Sequence, residues 1–296
     1  MPHLLWFGVQ PVIIECALNG VTAKSRNPNV PISPSEIAAD ALACIEAGAA
    51  IIHNHIDLPG VSVEVAIERY QEGWRPVLAA RPDALIYPTV HFGETTTSYE
   101  HLVPLAARGL RVGLADPGSI NLGGIGADGV PGGGFVYANS YDSIARAFAI
   151  CSEHGLGPSL AIYEPGFLRT TLAWWRAGRL PRGAMIKLYF ATERGYLGAP
   201  FGLPPTRRAL EAYLELLDGC DVPWADSVVG GDVVASEVAP LALERGAHLH
   251  LGLEFFGGAR TPTNVELVHE AVALCARIGR PVATPSQAAR ILDLPR

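Results

Sequence analysis

Residues 47–57 read AGAAIIHNHID. Gly48 closes a helical run over 33–47, and an apolar, β-rich segment over 49–56 follows at once. Two imidazoles, His53 and His55, stand one residue apart in a segment otherwise suited to burial. Strand side chains alternate with period two, so Ile51, His53, His55 and Asp57 share one face, and Ile52, Asn54 and Ile56 the other. A helix that runs straight into a buried strand is half of a unit, and the chain repeats that unit.

Eight such strands can be read: 12–18, 49–56, 84–90, 110–116, 159–164, 184–190, 224–230 and 248–254. Helical patterns fall between and after them, at 33–47, 62–80, 97–108, 141–154, 166–178, 206–218, 232–245 and 264–278. Eight βα units in a chain of 296 residues predict an α/β fold, a (β/α)8 TIM barrel, as one domain over 1–296. The alternative, a doubly wound open sheet, lacks its Gly-rich dinucleotide fingerprint after the first strand. Helix starts are well marked. Ser33, Pro34 and Glu36 form a capping-box pattern, repeated by TNVE at 263–266 and TPSQ at 284–287. Gly48 and Gly246 sit where helix C-caps belong, before the second and eighth strands. The Gly/Pro-rich stretch 116–134 reads as the longest irregular segment: a flexible loop, or a lid or backbone-amide cradle at the rim.

Composition excludes several classes. A hydrophobic content of 49% with 17% charged residues suits a large buried core. The net charge of −7 offers no basic footprint for nucleic acid or an anionic membrane. Residues 1–18 are apolar, but they lack a basic n-region and carry Gln10 and Glu15, so neither a signal peptide nor a membrane span is expected. Five scattered cysteines without a CxxC pair suit a reduced, cytoplasmic protein in which they are small core residues.

The last strand repeats the logic of the second. Leu249, Leu251 and Leu253 share one face, while His248, His250, Gly252 and Glu254 share the face that would point inward. His55 and Glu254 both fall at the C-terminal ends of their strands, where a barrel of this kind carries its chemistry. The eighth strand closes on the first, and the first pairs with the second, so His53, His55 and Glu254 converge. Two imidazoles and a carboxylate with an open fourth position make a chemically sensible catalytic zinc site, although another divalent metal would fit. A buried carboxylate is costly to keep ionised without such a cation. The bland alternative is a pair of core histidines bonded to backbone carbonyls.

Several blocks together carry a resemblance: ALNG at 17–20, 27–57 through the HNHID segment, GSINLG at 118–123, IYEPG at 162–166, GLE at 252–254, and 263–292. On these blocks the chain resembles the β-keto acid cleavage enzyme family, also called the 3-keto-5-aminohexanoate cleavage enzyme family, over nearly its whole length. The resemblance implies a (β/α)8 barrel whose zinc is held by His53, His55 and Glu254. It implies a reaction between a β-keto acid and acetyl-CoA, yielding acetoacetate and a new acyl-CoA. The implied course is deprotonation next to the keto group, addition to the thioester, CoA transfer and retro-Claisen cleavage. It also implies a homo-oligomer, a tetramer by preference.

The chain departs from the family pattern at several points. The last-strand motif, commonly Arg-x-Gly-x-Glu-Asp, runs here from His250 to Phe255. Position 57, more often Arg, is Asp57, and the Glu that selects an amine-bearing substrate is replaced by Thr22. Phe255 cannot carry a proton, which leaves His250 and Asp57 as candidate catalytic bases. Asn19, Thr89, Glu164 and Ser119 are candidate substrate contacts, and His91 is a candidate for the mouth. Lys187 could pair with Glu164 or bind a carboxylate. Arg194 and Arg260 are the candidate contacts for the CoA phosphates. The apolar segment 173–180 could bury at an interface between copies. Two other readings remain: a metal-dependent hydrolase, which would want further histidines on the fifth and sixth strands, and a non-catalytic barrel that binds small acids.

Overall fold

The computed structural model describes residues 10–58, 60–92, 97–195 and 197–295. The apolar segment 1–9, part of the stretch read for a signal peptide, lies outside them. The chain alternates strand and helix from the start: β1 (Ile14–Ala17), α1 (Pro34–Ala47), β2 (Ile51–Asn54), α2 (Val63–Ala80) and β3 (Leu85–Pro88). A short pair follows, β4 (His91–Phe92) and β5 (Thr97–Ser98), then α3 (Leu102–Ala106) and β6 (Val112–Ala115). Next come β7 (Ile120–Ile125), β8 (Pro131–Tyr137), α4 (Tyr141–Glu153), β9 (Gly157–Ile162), α5 (Pro165–Arg176) and β10 (Met185–Ala191). The chain ends through α6 (Arg207–Leu216), β11 (Trp224–Val229), α7 (Val238–Glu244), β12 (His248–Leu251), α8 (Asn264–Ile278) and α9 (Pro285–Ile291).

Eight strands form one parallel sheet in the order β3-β2-β1-β12-β11-β10-β9-β6. The two end strands, β3 and β6, lie side by side and bring the sheet round into a nearly closed barrel. This is the (β/α)8 TIM barrel that the strand–helix alternation predicts, and all eight expected strands are its staves. Among the described residues, no helix is long and apolar enough to cross a membrane.

The caps form as their sequences dictate. Ser33, Thr263 and Thr284 each accept from the backbone three residues on, and Glu36, Glu266 and Gln287 return the bond. Gly48 closes α1 with φ +123. Strand alternation holds where it can be checked on β2. Asn54 takes the Trp74 indole N–H from α2 at 2.8 Å, so it faces the helices, and His53 faces the barrel interior against Tyr87.

Three expectations need correction. Residues 116–134 are not a long irregular loop, because β7 and β8 pair antiparallel from Ile120↔Tyr137 to Ile125↔Pro131. The glycines permit that close pairing: at Gly134 (φ +74) a Cβ would stand 1.9 Å from the Leu122 carbonyl. Lys187 pairs with Glu15 at 3.0 Å, not with Glu164, since β1 lies across the barrel interior from β10. Glu254 is also not carried by a strand face. β12 ends at Leu251, and Gly252 (φ +131) turns the chain so that Phe255 and Phe256 N–H both bond to the Gly252 carbonyl.

Candidate metal centre

At the C-terminal mouth of the barrel, three side chains converge. His53 Nε2 lies 3.4 Å from one Glu254 oxygen, and His55 Nε2 lies 3.2 Å from the other. One ligand atom from each of the three residues falls within 4.8 Å of the others. A tetrahedral ion with bonds of about 2.0–2.1 Å keeps its ligand atoms about 3.3–3.4 Å apart, so the two His–Glu separations are of the size a small divalent ion needs. All three side chains are nearly enclosed, with exposures of 9, 13 and 5%. Burial holds His53 down to about 3, so it is a neutral ligand at ordinary pH. Burial alone would raise Glu254, but His55, His53 and Lys187 outweigh it and hold the carboxyl at about 2. A buried carboxylate beside two imidazoles is a donor set for a divalent cation.

The scaffold around the cluster is specific. Asn19, just past β1, spends its whole side chain on backbone. Its amide donates to the Pro31 and His55 carbonyls, both at 3.1 Å, and its oxygen accepts from Gly20 and His55 N–H, both at 2.8 Å. Asn19 thus clamps His55 and also lines the cavity beside it. Below His53, Tyr87 lies with ring centroids 4.6 Å apart. The Tyr87 hydroxyl donates to Glu15 and lies 3.1 Å from Ser159 Oγ, and Lys187 Nζ reaches both Glu15 and Tyr87. This buried cluster forms a polar floor beneath the candidate metal centre.

The other expected site residues divide. Asp57 and Thr89 line a cavity of about 450 Å³ that opens beside His55, with His91 and His101 on the same wall. Arg69 of α2 grips Asp57 through Nε at 2.7 Å and a second bond, and so holds its carboxyl below the usual range. His250 does not reach that cavity. It is fully enclosed, stacked on Tyr189 (5.4 Å, 12°) and covered by Phe255 (5.0 Å), with Nε2 3.3 Å from Glu15. Burial, then Lys187 and His53, keep its ring neutral. Ser119 and Glu164 share a different cleft, with Asn139 and Phe167. Ser119 is tied to the Asn139 backbone, and Glu164 accepts from Gly202 N–H at 2.9 Å. Arg194 donates to the Gly257 carbonyl at 2.9 Å, and Arg260 is held by Glu270 and Asp232.

Residue-by-residue sequence reasoning missed Tyr87, Arg69 and Gly20. Tyr87 had a signal, because it stands in register with His53 on the neighbouring strand. Arg69 had none, since its partner lies 12 residues earlier across a helix start.

The fold and the cluster together define a barrel enzyme with a candidate divalent-metal centre at its mouth. The model of the β-keto acid cleavage enzyme family matches residues 11–294, and the chain belongs to that family. It is 26% identical over 291 residues to the 3-keto-5-aminohexanoate cleavage enzyme of Acetoanaerobium sticklandii, covering 97% of this chain and 99% of that one. It is 27% identical to a 3-oxoadipate:acetyl-CoA acetyltransferase of Cupriavidus necator, covering 97% and 96%. Among solved structures, the apo structure of ObcA superposes with a TM-score of 0.66 at 16% identity, over 92% of this chain and 67% of that chain, a likeness of fold. The chain is accordingly an enzyme of β-keto acid cleavage.

Proposed function

We propose that the chain is a zinc-dependent β-keto acid cleavage enzyme, which condenses a β-keto acid with acetyl-CoA and releases acetoacetate and a new acyl-CoA. The observation that carries this reading is the convergence of His53, His55 and Glu254 beside an apolar cavity. The acetyl-CoA named for the Cupriavidus necator relative supports the co-substrate.

The three residues would hold the ion, which when bound would act as a Lewis acid toward the keto and carboxylate oxygens of the acid. Asn19 fixes the His55 backbone, so the ligand set is oriented before substrate arrives. Asp57 is the better placed of the two candidate bases. It lines the cavity, whereas His250 lies under Phe255. Arg69 orients the Asp57 carboxylate toward its role of accepting the proton next to the keto group. Thr89 offers a hydroxyl on the same wall. Arg194 and Arg260 serve the CoA phosphates at the rim. Ser119 and Glu164, in their separate cleft, would meet the far end of a long ligand rather than the reacting acid. The protein works in the cytoplasm, with five free cysteines, and as a homo-oligomer, for which a tetramer is the preferred state. Exposed Val130, Phe135 and Val136 on and beside β8 support burial between copies.

The test has two arms. His53→Ala and Glu254→Gln should each lose stoichiometric zinc, read by elemental analysis, while keeping the far-UV spectrum. The zinc-loaded protein should form acetoacetate from acetyl-CoA with at least one member of a panel of β-keto acids. Full zinc retention in either variant, or no turnover across the panel with zinc bound, would overturn the reading.

A further inference from the structure

The cavity beside the metal centre is walled by the loops that follow β1, β2 and β3. Its volume of about 450 Å³ lies within the range of small-molecule sites. Val21, Val30, Ile32, Ile56, Val61 and Phe92 are among its apolar lining. The reacting end of a β-keto acid, its carboxylate and keto group, belongs at the cluster, so the tail runs into this cavity.

The wall keeps neutral polar groups, the Thr89 hydroxyl and His101 Nδ1 among them, but the one carboxylate among its described lining residues is already paired. Among the described lining residues there is no lysine or arginine. The Asp57 charge is matched by the two bonds from Arg69. His101 is buried and neutral, with Nε2 2.8 Å from the Thr89 carbonyl. His91 is pushed down by burial. Thr22 donates its hydroxyl proton to the Leu253 carbonyl at 3.0 Å, so it offers a ligand no charge and no proton. An ammonium or a second carboxylate on the tail would lose water and meet no unpaired opposite charge among the described lining residues. A methylene group, by contrast, gains about fourfold in binding when it leaves water for such a wall.

We propose that the acid taken by this site carries an uncharged, apolar tail, as in a straight- or branched-chain alkyl 3-oxo acid; the inference rests on the β-keto acid reading above. The wall then acts as the specificity determinant. It rejects charged tails through missing counter-charges rather than through lack of room.

The test is calorimetric titration of the full chain, with and without added zinc and without acetyl-CoA. Three six-carbon acids serve as probes: 3-oxohexanoate, 3-oxoadipate and 5-amino-3-oxohexanoate. The alkyl acid should bind at least about 100-fold more tightly than either charged one. Thr22→Glu, which puts a carboxylate on the wall, should narrow the gap for the amino acid alone. Equal or tighter binding of a charged acid, or no measurable binding of the alkyl acid, would overturn the inference. Turnover of the same three acids with acetyl-CoA then separates the two claims. An alkyl preference in binding with no thioester formed sinks the cleavage reading and leaves the tail preference standing. Turnover that favours a charged tail does the reverse.

Discussion

Gly20 gives up its side-chain space to Glu254. The glycine holds φ +55, and a Cβ built on it would stand 2.3 Å from Glu254 Cγ. Gly20→Ala therefore faces a strained backbone and a collision with a metal-cluster side chain at once. We expect the variant to fold, with zinc affinity lowered about 10- to 100-fold, as for loss of a ligand's support. A competition titration against a chromogenic chelator reads this directly. Wild-type affinity would mean that the β1 loop moves aside without disturbing Glu254.

Asp57 and His250 can be told apart by substitution. Asp57→Asn should lower kcat about 100-fold or more while leaving zinc content unchanged. His250→Gln should instead cost stability, because the ring is enclosed between Tyr189 and Phe255. If steady-state kinetics with matched metal loading showed the larger kcat loss at His250, the assignment of the base would be reversed.

The floor of the barrel makes a separate prediction. Lys187→Met would leave Glu15 buried without its ion-pair partner, at a cost of about 3–5 kcal/mol. Combining it with Glu15→Gln should recover part of that loss, so urea melts of the two singles and the double should be non-additive. Additive losses would show that the two groups act independently.

Asp226, on β11, is wholly buried, and neither carboxylate oxygen has a hydrogen-bond partner. Burial pushes it up to about 8. An unfolded aspartate titrates near about 3.9, so the fold favours the neutral form. Its contribution is complete below pH 4 and is lost as the pH rises toward 8, at up to about 1.4 kcal/mol per pH unit. Asp226→Asn, which cannot ionise, should therefore gain on the wild type steadily between pH 5 and 8 and level off above. Thermal melts across that range measure the gap, and a constant gap would mean that the carboxyl is charged and matched in the fold.

Much of this was written in the strand pattern. The period-two alternation around His53 and His250 faces both rings inward, and the capping residues of α1, α8 and α9 place those helix starts to the residue. What alternation could not convey was anything past a strand end. Glu254 arrives through the Gly252 turn, and Asp57 meets Arg69 only because α2 folds back over the loop. The hairpin of β7 and β8 was hidden for another reason. Its glycines, which read as an irregular loop, are what let two backbones lie close enough to pair. His250 shows the remaining gap: a strand face says inward, but depth below the mouth depends on what the following turn lays on top.

The barrel is, in the end, a split ring. Seven of its joins are backbone ladders, but β3 and β6 meet without one among the described residues. A side chain bridges that split: Tyr87 of β3 spans to Ser159 on β9, the strand beyond β6. Amide protons along this split should exchange with solvent well before those between β1 and β12. Any spreading of the mouth to admit a bulkier guest would begin at this line, beside the wall that Thr89 and Val90 already form.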